Sequence, residues 1–220
     1  DLVLRSREMV VPAIGPDRWG DIGLVPTGLT EDRYVKAVEV REINDIASDT
    51  ASSTVGGRYV FHHMTYSAGV LNEDGTEIIS DTRTRFPIHE VGRNADIFPE
   101  KFGTLLQANS ALHLGASHIH PNGIQETTAH LEFGFVFHPK GYEPEYANRA
   151  RVRLGNGTDI DVVADRAGQE FHAFAVLEQH TKIVAFEPHL HAPGTRMCIE
   201  AIWGSNHFTL NCVGYRVRLQ

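Results

Sequence analysis

The sequence predicts an all-β protein of two antiparallel β-sandwich domains, jelly-roll-like, with the second incomplete. Three observations carry this. Apolar and polar residues alternate with period two along most of the chain, turn-forming residues fall between the alternating runs, and no stretch sustains the 3.6-residue period of a helix. A content of 41% hydrophobic residues in 220 is enough for one large core or two modest ones.

Taken in order, residues 1–30 contain Pro12, Pro16 and Pro26 and little periodicity. They read as an extended N-terminal arm along the surface of the first domain. Tyr34 to Glu42 alternates, and Arg58 to Tyr66 is rich in aromatic and β-branched residues, so both are expected as strands. Asn72-Glu73-Asp74-Gly75 and Pro121-Asn122-Gly123 supply turns. Leu131, Phe133, Phe135 and Phe137 fall on one face of a long strand and read as core. From Pro139 to Tyr146 the alternation stops and proline and glycine take over, which places a boundary between a first domain at 31–141 and a second at 150–220.

In the second domain, strands are expected at Arg151–Leu154, Ile160–Ala164, Glu170–Leu177 and Thr181–Pro188. Met197–Trp203 and His207–Val213 read as hairpin arms around Gly204-Ser205-Asn206. If Trp203 opposes His207, Cys198 opposes Cys212, and directly opposed residues lie within the Cα spacing a disulfide accepts. A pair of reduced, half-buried thiols is the alternative. At about 70 residues the second domain is shorter than the ~100 usual for a sandwich, hence the expectation that it is incomplete.

The formal charge of −8 is carried by acidic residues spread along the chain, which argues against nucleic acid or an anionic membrane surface as partner. No apolar run approaches the ~20 residues of a membrane-spanning helix. Asp1-Leu2-Val3-Leu4-Arg5 lacks the pattern of a signal peptide, so the protein is either cytosolic or exported with its signal removed. The facing cysteines favour the second, a periplasmic or secreted protein.

Thirteen histidines are the chemical signal. His118-Ile119-His120 and His189-Leu190-His191 each put two imidazoles on one face of a strand, roughly 6.5 to 7 Å apart. His62 and His63 are adjacent, so on a regular strand they point to opposite faces; both reach one metal only if the strand bulges or twists. Neutral imidazoles without thiolate or clustered carboxylates suit copper, zinc or iron rather than calcium or magnesium.

In order and spacing, Tyr59-Val60-Phe61-His62-His63-Met64, His118-Ile119-His120-Pro121-Asn122-Gly123 and Pro188-His189-Leu190-His191-Ala192-Pro193-Gly194 resemble the motifs of the type II, ascorbate-dependent copper monooxygenases, the superfamily of peptidylglycine α-hydroxylating monooxygenase and dopamine β-monooxygenase. The chain looks closest to their bacterial relatives. The resemblance implies two copper ions, one in each domain. It puts His62, His63 and His118 on the electron-supplying copper, and His189 and His191 on the copper where oxygen binds. It implies hydroxylation of a C–H bond of a small-molecule or peptide substrate by molecular oxygen, with ascorbate or a similar one-electron donor. His120 has no ligand role by this match and stays a candidate from its own position. The chain departs from the family in one respect: Met9, Met64 and Met197 are its only methionines, and none stands where the family's third ligand to the oxygen-binding copper is expected.

Two other readings compete. A mononuclear cupin would use His118, His120, Glu126 and a later histidine, with a spacing to the glutamate longer than that family's. A non-catalytic copper-binding or structural sandwich module would keep the scaffold without turnover.

Overall fold

The computed structural model describes residues 1–47, 55–146, 161–190 and 194–214. Its strands are β1 (Leu2–Arg5), β2 (Met9–Val11), β3 (Arg18–Gly20), β4 (Leu24–Pro26), β5 (Arg33–Asn44), β6 (Phe61–Val70) and β7 (Thr84–Arg85). These are followed by β8 (His89–Glu90), β9 (Ala95–Ile97), β10 (Thr104–Leu106), β11 (Ser110–Ile119), β12 (Thr127–Phe137), β13 (Arg196–Trp203) and β14 (Asn206–Gly214). The chain divides into two compact units, Asp1–Ala150 and Arg151–Gln220.

In the first unit two antiparallel sheets pack face to face, as the alternation predicts. One runs β1-β12-β5-β10 with β2 on β12 and β9 on β5; the other runs β3-β11-β6-β7 with β4 on β11 and β8 on β6. The core lies between them. Val35, Val38, Val40, Leu131, Phe133 and Phe135 from the first sheet meet Phe61, Met64, Tyr66, Leu112 and Leu114 from the second, all buried. Tyr66 stacks on Phe86 and meets Phe133, so the phenylalanine row is indeed core. The segment read as an arm is extended, and it supplies four short strands: β1 and β2 pair with β12, β3 and β4 with β11. Leu4, Val11, Ile22 and Val25 from this segment are buried.

Two bulges in the β6–β11 ladder change which face each residue occupies. Between His113 and Ala116 the register slips, with Ala116 opposite Thr65 and His113 opposite Ser67. A regular strand would send Leu112, Leu114 and His118 to the same face; the slip sends Ile119 into the core and turns His118 outward. Between His118 and Ile119 it slips again: His118 faces His63 and Ile119 faces Phe61, leaving His62 as the extra residue.

In the second unit the described residues form a single hairpin, β13–β14, closed by a Cys198–Cys212 disulfide with Cα atoms 4.1 Å apart. The cysteines face each other as expected, by a different register. Ile202, not Trp203, opposes His207, the connecting turn is Gly204-Ser205, and a slip between Ile199 and Glu200 brings the cysteines back opposite one another. The strands expected at Glu170–Leu177 and Thr181–Pro188 are absent; 161–190 holds no strand. Alternation there has no neighbouring strand to pair with among the described residues, and Phe174 and Val176 are exposed. The expected strand Arg151–Leu154, most of the hairpin around it, and His191 lie outside the described residues.

Candidate metal centre

The outward face of the β3-β11-β6 ladder carries a row of three rings. Trp19 on β3 is opposite His118 on β11, and His118 is opposite His63 on β6. Opposed residues share a face, so the three side chains stand side by side. The bulge adds His62 to this row, because an extra residue between the core-facing Phe61 and Met64 lets two consecutive side chains leave the core together. The condition that the adjacent histidines require is therefore met.

The ligand atoms of His62, His63 and His118 all lie within 4.8 Å of one another. Their ring centroids are 5.1 Å apart in every pair. Imidazoles bound through nitrogen at about 2.0–2.1 Å have centroids about 3 Å from the ion, so tetrahedrally arranged rings stand about 5 Å apart. The observed spacing fits that arrangement.

The proton positions follow from the partners. His118 Nε2 is 2.9 Å from Asp17 Oδ2, and a carboxylate can only accept, so Nε2 carries the proton. The lone pair of neutral His118 is then on Nδ1, which is buried and has no hydrogen-bond partner among the described residues. A buried acceptor on a ring packed beside two other imidazoles fits a metal ligand whose distal N–H is held by a carboxylate. Trp19 stacks on His118 at 4.2 Å and 4°, and meets His63 edge-on at 4.9 Å. Its indole is 60% exposed, while His63 and His118 are buried.

His120 stands beside the cluster and outside it. Its ring is 5.9 Å from His62 and 6.3 Å from His118, and its Nδ1 donates to the Pro121 carbonyl at 3.1 Å, which leaves the lone pair on Nε2. Glu126 is exposed and is not part of the group, so His118, His120 and Glu126 do not form a common set. His189 is half-buried in a segment without strand structure, and its partner His191 is not described.

Below the cluster, Glu42 of β5 reaches across to β6. Its carboxylate accepts the N–H groups of Val60 and Phe61, at 2.9 Å each, and the Asn44 amide at 2.7 Å. Burial pushes the Glu42 carboxyl above its ordinary range, with the bonds from Asn44, Val60 and Phe61 acting in the opposite sense. On the core side, His89 opposes Met64 and stands outside the group of three histidines; burial pulls it down to about 4.

Asp17, Trp19 and Glu42 are the residues that sequence reading missed. The first two stand in a segment without periodicity, and only the Trp19–His118 register brings them to the site. Searched against protein-family models, curated proteins and solved structures, the chain matches none.

Proposed function

We propose that the first unit holds one copper ion through His62, His63 and His118, as the electron-supplying centre of a copper-dependent monooxygenase. In this reading it hydroxylates a substrate C–H bond with molecular oxygen and an ascorbate-like donor. The observation that carries the reading is the bulge that places His62 beside His63, with His118 directly across. An all-imidazole set with no thiolate or carboxylate ligand favours copper, zinc or iron, and the ordered histidine motifs favour copper among them.

Bound copper would supply one-electron exchange between its two common oxidation states. The protein's part is to hold three neutral imidazoles: Asp17 keeps the proton on His118 Nε2, and Trp19 packs against His118 and His63. His62 is exposed, which leaves the side next to His120 open to an incoming donor or ligand. His189 and His191 are the candidate residues for the oxygen-binding copper. The Cys198–Cys212 disulfide supports a periplasmic or secreted setting.

A second reading, a copper-binding module without turnover, is favoured by one observation: the His189 segment has no strand to present its motif. The two are separated by loading the chain with copper, adding ascorbate, and following both the Cu(II) electron paramagnetic resonance signal and dissolved oxygen. The monooxygenase reading expects loss of the Cu(II) signal followed by catalytic oxygen uptake. Reduction of bound copper without sustained oxygen uptake would establish the module instead.

A further inference from the structure

We infer that Glu42 is a positioning residue for the metal centre, clamping the backbone of the bulge from the opposite sheet. The inference rests on the copper reading above and adds a residue that neither the histidine motifs nor the ligand geometry contains.

A bulge frees backbone groups from the ladder, and a buried N–H without an acceptor costs about as much as a lost hydrogen bond. Here two consecutive N–H groups, those of Val60 and Phe61, immediately precede the bulged His62 and the ligand pair. Val60 N–H is shared between the two carboxylate oxygens of Glu42, at 2.9 and 3.1 Å, and Phe61 N–H goes to Oε2 at 2.9 Å. On the opposite side of the same backbone, Val60 C=O accepts from His120 N–H at 2.9 Å and His62 C=O from Val91 N–H at 3.0 Å. The bulge is thus tied to β11, to the segment after β8, and, through Glu42, to β5 of the other sheet. The Glu42 tie crosses between the sheets and uses a carboxylate, whose bonds to N–H donors are stronger than neutral ones. Asn44 donates to Glu42 Oε1 at 2.7 Å and to the Arg58 carbonyl at 2.9 Å, which fixes the carboxylate's orientation.

Glutamine at this position keeps the size but presents an NH2 group where an N–H must be accepted. One or both clamps are lost, and the φ/ψ of Phe61 and His62 become free to vary. Imidazoles displaced by a fraction of an ångström alter both affinity and ligand field, whereas a loss of general stability leaves the field of the folded, loaded protein unchanged.

The test compares the full-length wild type with Glu42→Gln and with Val38→Ala, a core substitution on the same strand that lowers stability without touching the clamp. Copper(II) affinity is measured by competition with a chelator, the paramagnetic resonance spectrum is recorded at saturation, and amide exchange at Val60 and Phe61 is measured in the metal-free protein. We expect Glu42→Gln to bind copper about tenfold more weakly, with a shifted and broadened spectrum and faster exchange at both amides. Val38→Ala should keep the wild-type spectrum and affinity. A Glu42→Gln protein with the wild-type spectrum and affinity would overturn the inference, leaving Glu42 a purely structural residue. Failure of the wild type itself to bind copper would remove the metal reading and this inference with it, whatever the amides show.

Discussion

Removing the Asp17 carboxylate should weaken copper binding by a margin that the geometry bounds. The carboxylate accepts from His118 Nε2 at 2.9 Å, holding the tautomer that leaves Nδ1 free for the proposed metal. Loss of such a partner typically costs 10–100-fold in affinity, about 1.4–2.7 kcal/mol. Asp17 is more than half exposed, so water can take its place, and the lower end applies to Asp17→Ala: about tenfold. Asp17→Asn keeps an acceptor oxygen without the charge and should lose only about threefold. Trp19 provides the assay, because it stacks on His118 and the chain has only two tryptophans. In a Trp203→Phe background, Cu(II) quenching of Trp19 fluorescence reports occupancy directly. Wild-type affinity in Asp17→Ala would refute the argument that this carboxylate sets the tautomer of a ligand.

Further predictions concern stability. His89 falls from 6.5 to about 4 because burial disfavours its charged form, so between those values the unfolded chain binds the extra proton. Its contribution, about 3 kcal/mol, is present above pH 6.5 and is lost as pH falls towards 4; in chelator-treated protein, urea melts across this range should show a steeper acid decline in wild type than in His89→Leu. At the first bulge, a methyl on Gly115 would meet the His113 ring at 2.8 Å, displacing it from Asp21 and Arg83. Gly115→Ala should cost about 1–2 kcal/mol in thermal or urea unfolding, and an unchanged midpoint would show that the ring moves freely. Replacing Cys198 and Cys212 with serine releases a loop of about 15 residues, worth up to about 3 kcal/mol, and should abolish amide protection in the β13–β14 hairpin; retained protection would mean that the strands hold without the bridge.

Much of the first unit was legible because its strands bury one face, and alternation records which. Even the bulges left traces. Phe61 is followed by Met64, Tyr66 and Ala68, and Leu112 and Leu114 by Ile119, so the apolar phase changes within each strand. Those phase changes, read directly, would have shown that His62 leaves the core with His63 and that His118 points outward. Contacts made across sheets or by the proline-containing N-terminal segment left no such record. Glu42 looks like any polar residue at a strand end, and Asp17 and Trp19 fall where no periodicity sets a face. The second unit failed for a different reason: Glu170–Leu177 and Thr181–Pro188 alternate like strands, but alternation specifies a face only when another strand supplies hydrogen bonds.

Copper content per chain by elemental analysis, after loading and removal of free metal, tests the central claim most directly. It should be measured for the wild type and for His62→Ala, His63→Ala and His118→Ala, with folding of each verified by circular dichroism. The account predicts that each substitution removes one copper per chain relative to wild type. Full copper retention in His62→Ala and His118→Ala, or a folded wild type that takes up none, would contradict it.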